Sequence, residues 1–217
     1  MHVYTASELR DWQGEKDCRE TVENLTRRGF AATYCATAAE AAEAALALAD
    51  GAASAGFGGS KSVEELGIPV RLREKGVTTL IHGGLPPEEK ARVMAAQKTC
   101  DVFYLSANAL TVGGEIVNID GVGNRVSASI QGPKRVVFVV GRNKLVRGDL
   151  AAAIARARTK AAPPNSFRLG RKTPCAVTGV CADCSSPERI CNVLVVLERR
   201  PSATDTHVLV VNADLGL

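Results

Sequence analysis

Residues 77–106, VTTLIHGGLPPEEKARVMAAQKTCDVFYLS, contain the pattern that decides the fold. The apolar run from Val77 to His82 predicts a short buried strand, and the run from Asp101 to Ser106 predicts another. Between them, two prolines followed by two glutamates favour a helix that ends near Thr99, because proline and carboxylates suit a first helical turn. A strand, a helix and a second strand form the repeating unit of a parallel α/β sheet.

The same alternation extends toward the N-terminus. The sequence predicts a helix from Cys18 to Arg28 and a buried strand from Phe30 to Ala36. Thr37-Ala-Ala-Glu40 is a capping-box pattern, in which a threonine oxygen accepts from a free helix amide, and it opens an alanine-rich helix. A second capping box is predicted at Ser62 and Glu65.

Beyond residue 106 the predicted strands no longer alternate with helices. Three consecutive strands are predicted at Glu115–Ile119, Arg125–Ser129 and Arg135–Val140, with a turn over residues 120–124. A helix from Asp149 to Ala162 is expected to end at two prolines, and two short strands follow at residues 193–197 and 207–211. Together these elements predict an α/β fold with a mainly parallel sheet and helices on both faces. That domain would span residues 18–217, with an N-terminal extension over residues 1–17 and a short cysteine-rich loop over residues 174–192.

Composition limits the function classes. The chain has 217 residues, of which 46% are hydrophobic and 23% charged, values that fit one ordinary domain. No apolar run approaches the roughly 20 residues of a membrane helix, and the N-terminus has no apolar signal core. Seven cysteines are an odd number, so we expect thiols or metal ligands in a reducing, cytoplasmic setting rather than a disulfide scaffold.

Positive charge is concentrated in one part of the chain. Residues 125–200 carry 15 Lys and Arg against 4 Asp and Glu, whereas the rest carries 12 against 19. This asymmetry either has no function and is simply solvated, or forms a surface that attracts an anionic small molecule, such as a phosphate or carboxylate, or the acidic surface of a partner. Only 4% of residues are aromatic, and none alternate with the basic residues, so a nucleic-acid partner is disfavoured.

Three polar segments are candidate ligand-binding loops. A glycine turn at residues 56–62 could be a tight turn with an ordinary helix start, or a site where backbone amides meet an anion. Residues 106–125 combine four glycines with polar side chains, which suit a hairpin turn or a ligand site. Residues 141–144 follow an apolar strand, where α/β folds place ligands, or form a solvated loop. The candidate ligand-binding residues are Gly58, Gly59, Ser60, Ser62, Asn108, Thr111, Gly114, Asn118, Asp120, Asn124, Arg125, Gly141 and Asn143.

Two residues are candidates for catalysis. Glu115 is a carboxylate beside glycines and is predicted to act as a nucleophile or general base, because the glycines leave space for a substrate. Lys144 could bind phosphate or polarise a carbonyl group.

Four cysteines near the C-terminus are candidate metal ligands. Cys175, Cys181, Cys184 and Cys191 lie within seventeen residues, and four thiolates suit tetrahedral zinc or an iron–sulfur cluster. A zinc ribbon would have two C-x-x-C elements, whereas this loop has one. A disulfide, a redox-sensing thiol pair and unligated thiols therefore remain open.

These motifs resemble those of the lactate utilisation protein B/C domain family (LUD domain), most closely its short, stand-alone C type. The resemblance covers residues 18–217. It is carried by Gly58-Gly-Ser60, Thr111-x-x-Gly-Glu-Ile-Val-Asn-Ile-Asp-Gly-x-Gly-Asn-Arg125, Gly132-Pro133, Gly141-x-Asn-Lys144, the arginine helix with Pro163, and Leu215-Gly216.

The resemblance implies a fold like those of ribose-5-phosphate isomerase and the CoA transferases, which bind phosphorylated ligands near strand ends. In some bacteria the C-type protein belongs to a three-part iron–sulfur system that oxidises L-lactate to pyruvate. The resemblance therefore implies a component of L-lactate utilisation and electron transfer, a subunit of an oxidoreductase system with partner subunits, that binds an anionic or phosphorylated ligand. The alternative is an independent CoA- or sugar-phosphate-dependent transferase or isomerase that uses Glu115; a homo-oligomer is left open.

Overall fold

The protein is described by a computed structural model covering residues 3–217. Met1 and His2, the first two residues of the predicted extension, lie outside the described residues. In chain order the strands are β1 (Ala31–Cys35), β2 (Ser54–Phe57), β3 (Thr78–Leu80), β4 (Val102–Leu105), β5 (Ala109–Thr111), β6 (Ile116–Asp120), β7 (Arg135–Gly141), β8 (Leu145–Val146), β9 (Val193–Leu197) and β10 (Asp205–Val211). The helices are α1 (Ala6–Arg27), α2 (Ala38–Ala47), α3 (Lys61–Glu65), α4 (Ile68–Glu74), α5 (Pro87–Ala96), α6 (Asn124–Ile130), α7 (Leu150–Arg156), α8 (Ala162–Arg168) and α9 (Pro174–Thr178).

Six strands form a parallel sheet in the order β1-β10-β7-β4-β2-β3. Because the strands run in the same direction, their carboxyl ends meet at one edge, where α/β folds place ligands. The predicted mainly parallel α/β fold is confirmed, including the strand–helix–strand unit over residues 77–106.

A second sheet of four strands, in the order β8-β5-β6-β9, is a feature that the sequence analysis missed. Its β5–β6 and β6–β9 pairs are antiparallel, whereas β5 and β8 are parallel. Strand β6 is buried at every position. Asn118 and Asp120 share one of its faces, but neither face is exposed, so the strand has no solvent-facing side that could have indicated a separate sheet.

The core consists of layers on either side of the parallel sheet. One face packs against α2, α3 and α4 through residues such as Leu46, Val63 and Leu72. The other face packs against α1, α6 and the smaller sheet. Residues of α7 and the following turn, including Ala153 and Ala157, cover the far side of the smaller sheet.

Three predicted elements are wrong. Helix α1 begins at Ala6 rather than Cys18, because Thr5 and Glu8 form a capping box there; it therefore crosses the predicted boundary at residue 17. Residues 125–129 are helical rather than a strand, following Gly123 with a φ of +90°. The helix predicted to end at Pro163 continues to Arg168, because a π-helical turn at residues 157–161 places the prolines in a new first turn.

The capping box predicted at Ser62 is also wrong. Ser60 is the N-cap residue of α3, and its side chain makes no capping hydrogen bond. Ser62 lies inside the helix with its side chain fully buried. Its hydroxyl is therefore available for other contacts.

Candidate functional site

A crevice runs along the carboxyl edge of the parallel sheet. Its larger part has a volume of about 310 Å³ and its smaller part about 50 Å³. The two parts share the lining residues Gly59, Ser60, Arg125, Asn165 and Arg168. We treat them as one site, called the crevice below.

The structure brings eight of the predicted site residues to the crevice. Each lies at the end of a strand or in the segment that follows one, so strand direction explains why separate segments meet here. They are Gly58, Gly59, Ser60, Asn108, Asp120, Asn124, Arg125 and Lys144.

Arg125 is held rigidly at the junction of the two parts. Its Nη2 donates to the Ile119 carbonyl at 2.5 Å and to Asn108 Oδ1 at 3.1 Å, and its Nε lies 3.4 Å from Asp120 Oδ2. Burial lowers the pKa of Arg125, and Asp120 opposes that shift. A Cβ at Gly58 would lie 2.8 Å from Arg125 Cγ, so the glycine is needed for the close approach.

Asp120 is occupied by the backbone as well as by Arg125. Its Oδ1 accepts from the amides of Val122 at 3.0 Å and Gly123 at 2.7 Å. These contacts confirm the turn interpretation of Asp120, and its ligand-binding role stays a prediction.

Lys144 is 4% exposed, and its ammonium contacts two serine hydroxyls rather than a carboxylate. Its Nζ donates to Ser62 Oγ at 2.7 Å and to Ser106 Oγ at 3.0 Å. Burial, followed by the guanidinium groups of Arg156 and Arg125, lowers the pKa of Lys144 to about 7. A shift of this size, together with a cleft position, is typical of functional lysines.

Glu115 lies in a different environment. It forms an ion pair with Arg28 at the end of α1 and accepts from the Thr111 hydroxyl. Asp120 is five residues further along the chain, at the far end of β6, a distance of roughly 16 Å along the strand. In the described part of the chain Glu115 is absent from the crevice lining, so its predicted catalytic role stays a prediction without support from position.

The remaining predicted ligand-binding residues also lie outside the crevice lining. Gly114 is approached by the Arg28 side chain, and Asn118 is buried within β6. Asn143 binds the C-terminal segment: its Oδ1 accepts from the Leu215 amide at 3.0 Å, and its Nδ2 donates to the Gly216 carbonyl at 3.3 Å. The set is Ser62, Thr111, Gly114, Asn118, Gly141 and Asn143.

Sequence reasoning missed several lining residues. Ser106 is the last residue of the strand predicted over residues 101–106, and in the structure it lies immediately after β4 at the ligand edge. Lys90, Asn165, Arg168 and Arg171 come from helices or the segments after them. For Arg168 and Arg171 the sequence signal is the excess of positive charge after residue 125, whereas Lys90 and Asn165 have no such signal.

The four C-terminal cysteines line one small cavity, of about 20 Å³, together with Asp183 and Arg189. All four are free thiols of intermediate exposure. Within residues 3–217, however, no group of three His, Cys, Asp or Glu side chains is arranged so that it could hold a metal ion. The residues as placed do not fit zinc or an iron–sulfur cluster, and the metal assignment stays a prediction.

None of the described helices combines the length and apolar character needed to cross a membrane.

Comparison with known proteins identifies the family. The fold and the crevice define an α/β protein with a cationic site at its strand ends. The LUD domain model matches residues 18–211, and the chain belongs to this family, which links it in general terms to lactate utilisation.

One solved structure supports the fold. It is the crystal structure of a DUF162 family protein from Deinococcus radiodurans at 1.70 Å resolution, with a TM-score of 0.53 and 17% identity. The match covers 91% of this chain and 98% of that one, and at this identity it shows the fold alone. No curated protein matches the chain.

Proposed function

We propose that this chain is a component of a system that uses L-lactate or a related 2-hydroxy acid, and that its crevice binds a small anionic ligand. Membership of the LUD domain family supports the role in lactate utilisation, and the crevice supports the binding of a small anion. The shared chemistry of the ligand is a group of anionic oxygens, either a carboxylate or a phosphate.

The observation that carries this proposal is an excess of cations without carboxylate partners. Lys90, Arg168 and Arg171 line the larger part of the crevice, and in residues 3–217 none of them takes part in an ion pair with a carboxylate. The two carboxylates in that lining are already engaged: Glu64 lies 2.6 Å from Lys61 Nζ, and Asp120 pairs with Arg125.

A concave surface with unpaired cations attracts anions, because charges in a partly desolvated cleft are screened less than on an open surface. Arginine also presents paired donors that match the oxygens of a carboxylate or phosphate. Arg168 lines both parts of the crevice, with its guanidinium held by Asn165 Oδ1 at 2.7 and 3.1 Å. It is therefore positioned to contact a ligand in either part.

Calorimetric titration with L-lactate, pyruvate, inorganic phosphate and ribose 5-phosphate tests this proposal. Arg168→Gln is expected to weaken binding of the anion that binds best by roughly 10–100-fold, the effect of losing charge-assisted hydrogen bonds. Arg199→Gln removes an exposed arginine outside the crevice and is the matched control. Binding by the carboxylates alone would identify the ligand class as a hydroxy or oxo acid. Absence of binding by all four, or equal effects of the two substitutions, would refute the anion site.

Electron transfer is the second part of the proposal and depends on the cysteine-lined cavity. It rests on the four cysteines that line this cavity, and the side chains as placed do not fit a metal centre. Elemental analysis and an absorption spectrum of protein purified without oxygen, beside a Cys181→Ser/Cys184→Ser variant, provide the test. Iron with sulfide in the wild type alone would support electron transfer, whereas zinc would make the loop structural. No metal in either protein would remove this part of the proposal.

The alternative transferase or isomerase function has less support. It requires Glu115 at the reacting atoms, whereas Glu115 is paired with Arg28 away from the crevice. The anion site does not depend on it.

A further inference from the structure

Three polar groups that a simple anion site does not require meet in the interior. Ser62 comes from α3, Ser106 follows β4, and Lys144 lies after β7. The lysine nitrogen lies 2.7 and 3.0 Å from the two hydroxyl oxygens, which are themselves 3.5 Å apart. Each segment follows a neighbouring parallel strand, so the cluster is built by the sheet rather than by local sequence.

The cluster lacks the partner that a structural lysine normally has. Across the described residues, no carboxylate lies within ion-pair distance of Lys144 Nζ. The charged groups that face it are Arg125 on α6 and Arg156 on α7, which oppose its charge, and Glu65 on α3, which favours it. A desolvated lysine surrounded in this way releases its proton near neutral pH and becomes a base.

One of the two serines, Ser106, borders the crevice, with 4% of its surface exposed. Ser106 and Lys144 line the smaller part of the crevice, whereas Ser62 is fully buried and absent from that lining in the described residues. Ser106 is therefore the hydroxyl that a ligand can reach. The C-terminal segment closes the cluster from the other side: a Cβ on Gly216 would lie 2.7 Å from Ser62 Oγ and 3.3 Å from Lys144 Nζ.

A second observation points to a ligand at the same place. The Ser60 side chain is 9% exposed and lines both parts of the crevice. Its hydroxyl is buried without a hydrogen-bond partner in the part of the chain that the structure describes. A buried polar atom left unpaired is unfavourable, and an oxygen of a bound ligand would satisfy it.

We propose that Ser106 and Lys144 form the nucleophile and general base of an acyl-transfer site, which hydrolyses an ester or thioester that bears an anionic group. This activity goes beyond the proposed binding function, because binding alone requires no nucleophile. The arginines of the crevice would hold the anionic part of the substrate. Asn108 and Ser60, which line the same part of the crevice as Ser106, would donate to the acyl oxygen.

The reaction balances with water as the second reactant. The neutral Lys144 amine takes the proton of Ser106 as its Oγ forms a bond to the acyl carbon. The bond to the leaving alcohol or thiol then breaks, and the lysine ammonium returns the proton to that group. A water molecule next attacks the acyl-serine, giving one proton to Lys144, which passes it to Ser106 as the free acid leaves.

A fluorophosphonate probe tests the proposal directly. The serine oxygen attacks phosphorus and expels fluoride, which leaves a covalent label that mass spectrometry can locate on the intact chain and on peptides. We expect one label, on Ser106, that forms faster as the pH rises through about 7 because the Lys144 amine is then neutral. Lys144→Met should slow labelling by about 10²–10⁴-fold, the usual contribution of a general base. Ser202→Ala, at an exposed serine outside the crevice, is the matched control and should label like the wild type.

Two results would overturn the proposal: a wild-type protein that takes no label, and a label that persists in Ser106→Ala. A Ser106→Cys variant keeps the test valid if the alanine variant does not fold. Iodoacetamide should alkylate its introduced thiol at least tenfold faster than in the Ser106→Cys/Lys144→Met double variant, since the lysine base is then present. Equal rates in the two would show that Lys144 does not activate position 106.

Ser62 has a positioning role in this scheme, since it contacts Lys144 and the Leu215 carbonyl, at 3.1 Å, rather than the ligand. Its hydroxyl accepts a hydrogen bond from the lysine ammonium, so Ser62→Ala should lower the lysine pKa. The midpoint of the labelling pH profile should therefore move to lower pH, a change that a general loss of stability would not produce. An unmoved midpoint would show that Ser62 does not position the base.

Discussion

Glu115 has an oppositely charged partner in the structure, whereas Lys144 has none among the described residues. The Glu115 carboxylate forms an ion pair with Arg28 and accepts a hydrogen bond from the Thr111 hydroxyl. Arg28 also donates to the carbonyls of Gly113 and Glu198. Lys144 is more deeply buried, yet its contacts are two neutral hydroxyls and it opens onto a crevice. A charge that is paired and hydrogen-bonded helps to hold neighbouring elements together. A buried charge without a counter-ion destabilises the folded state and is typical of a functional site.

The largest expected effect is on the pH dependence of stability at Lys144. In the unfolded chain the lysine keeps its proton up to its ordinary pKa, whereas in the folded chain it releases the proton near pH 7. The free energy of unfolding should therefore rise between about pH 7 and pH 10, by roughly 2–4 kcal/mol. Lys144→Met should lose this rise, which urea unfolding of both proteins at pH 6.5 and pH 9.5 would measure. An equal difference between the proteins at the two pH values would contradict the lowered pKa.

A smaller effect on the free energy of unfolding is expected when Arg28, the cation that pairs with Glu115, is removed. Arg28→Met leaves the part-buried Glu115 carboxylate without its cation and should lower the free energy of unfolding by about 2 kcal/mol. Anion binding in the crevice should be unchanged, since Arg28 lies at the hairpin between β5 and β6. Chemical denaturation and calorimetry on the same preparation would test both statements. A weakened affinity at unchanged stability would show that the hairpin communicates with the crevice.

The smallest effect is expected for Glu115→Gln. The amide retains a polar contact with Arg28 and loses only the charge, so the free energy of unfolding should fall by about 1 kcal/mol. Ligand affinity and fluorophosphonate labelling should equal those of the wild type. Loss of either function at unchanged stability would restore Glu115 as the catalytic residue that its sequence context predicts.

Much of the fold was predictable, because apolar runs and helix-start residues report local preferences directly. The strand–helix–strand unit and the N-cap at Thr37 are examples, with Thr37 Oγ1 accepting from the Glu40 amide at 3.1 Å. Residues 125–129 show where local pattern fails. Their alternation suits a strand, yet they form a helix whose Arg125 is drawn to Asp120 and Ile119, contacts that depend on the arrangement of neighbouring segments.

The candidate site likewise contains residues that the sequence predicts and residues that it does not. Glycines and polar residues after strands placed Gly58, Asn108 and Lys144 at the crevice, because strand ends of a parallel sheet share an edge. Glu115 belongs to the same motif, but five residues along a strand carry it away from that edge. Ser106 begins the polar segment of residues 106–125, but only its position after β4 places it beside the lysine.

The sequence by itself determined the fold class, the alternation of strands and helices, the family resemblance and the excess of positive charge after residue 125. Those properties follow from residue type and short-range spacing. Only the tertiary structure decided which charges are paired, which hydroxyls face Lys144 and which cations line the crevice. The reason is physical: burial and pairing depend on segments as distant along the chain as Arg28 and Glu115, or Ser62 and Lys144, and no local pattern encodes their separation in space.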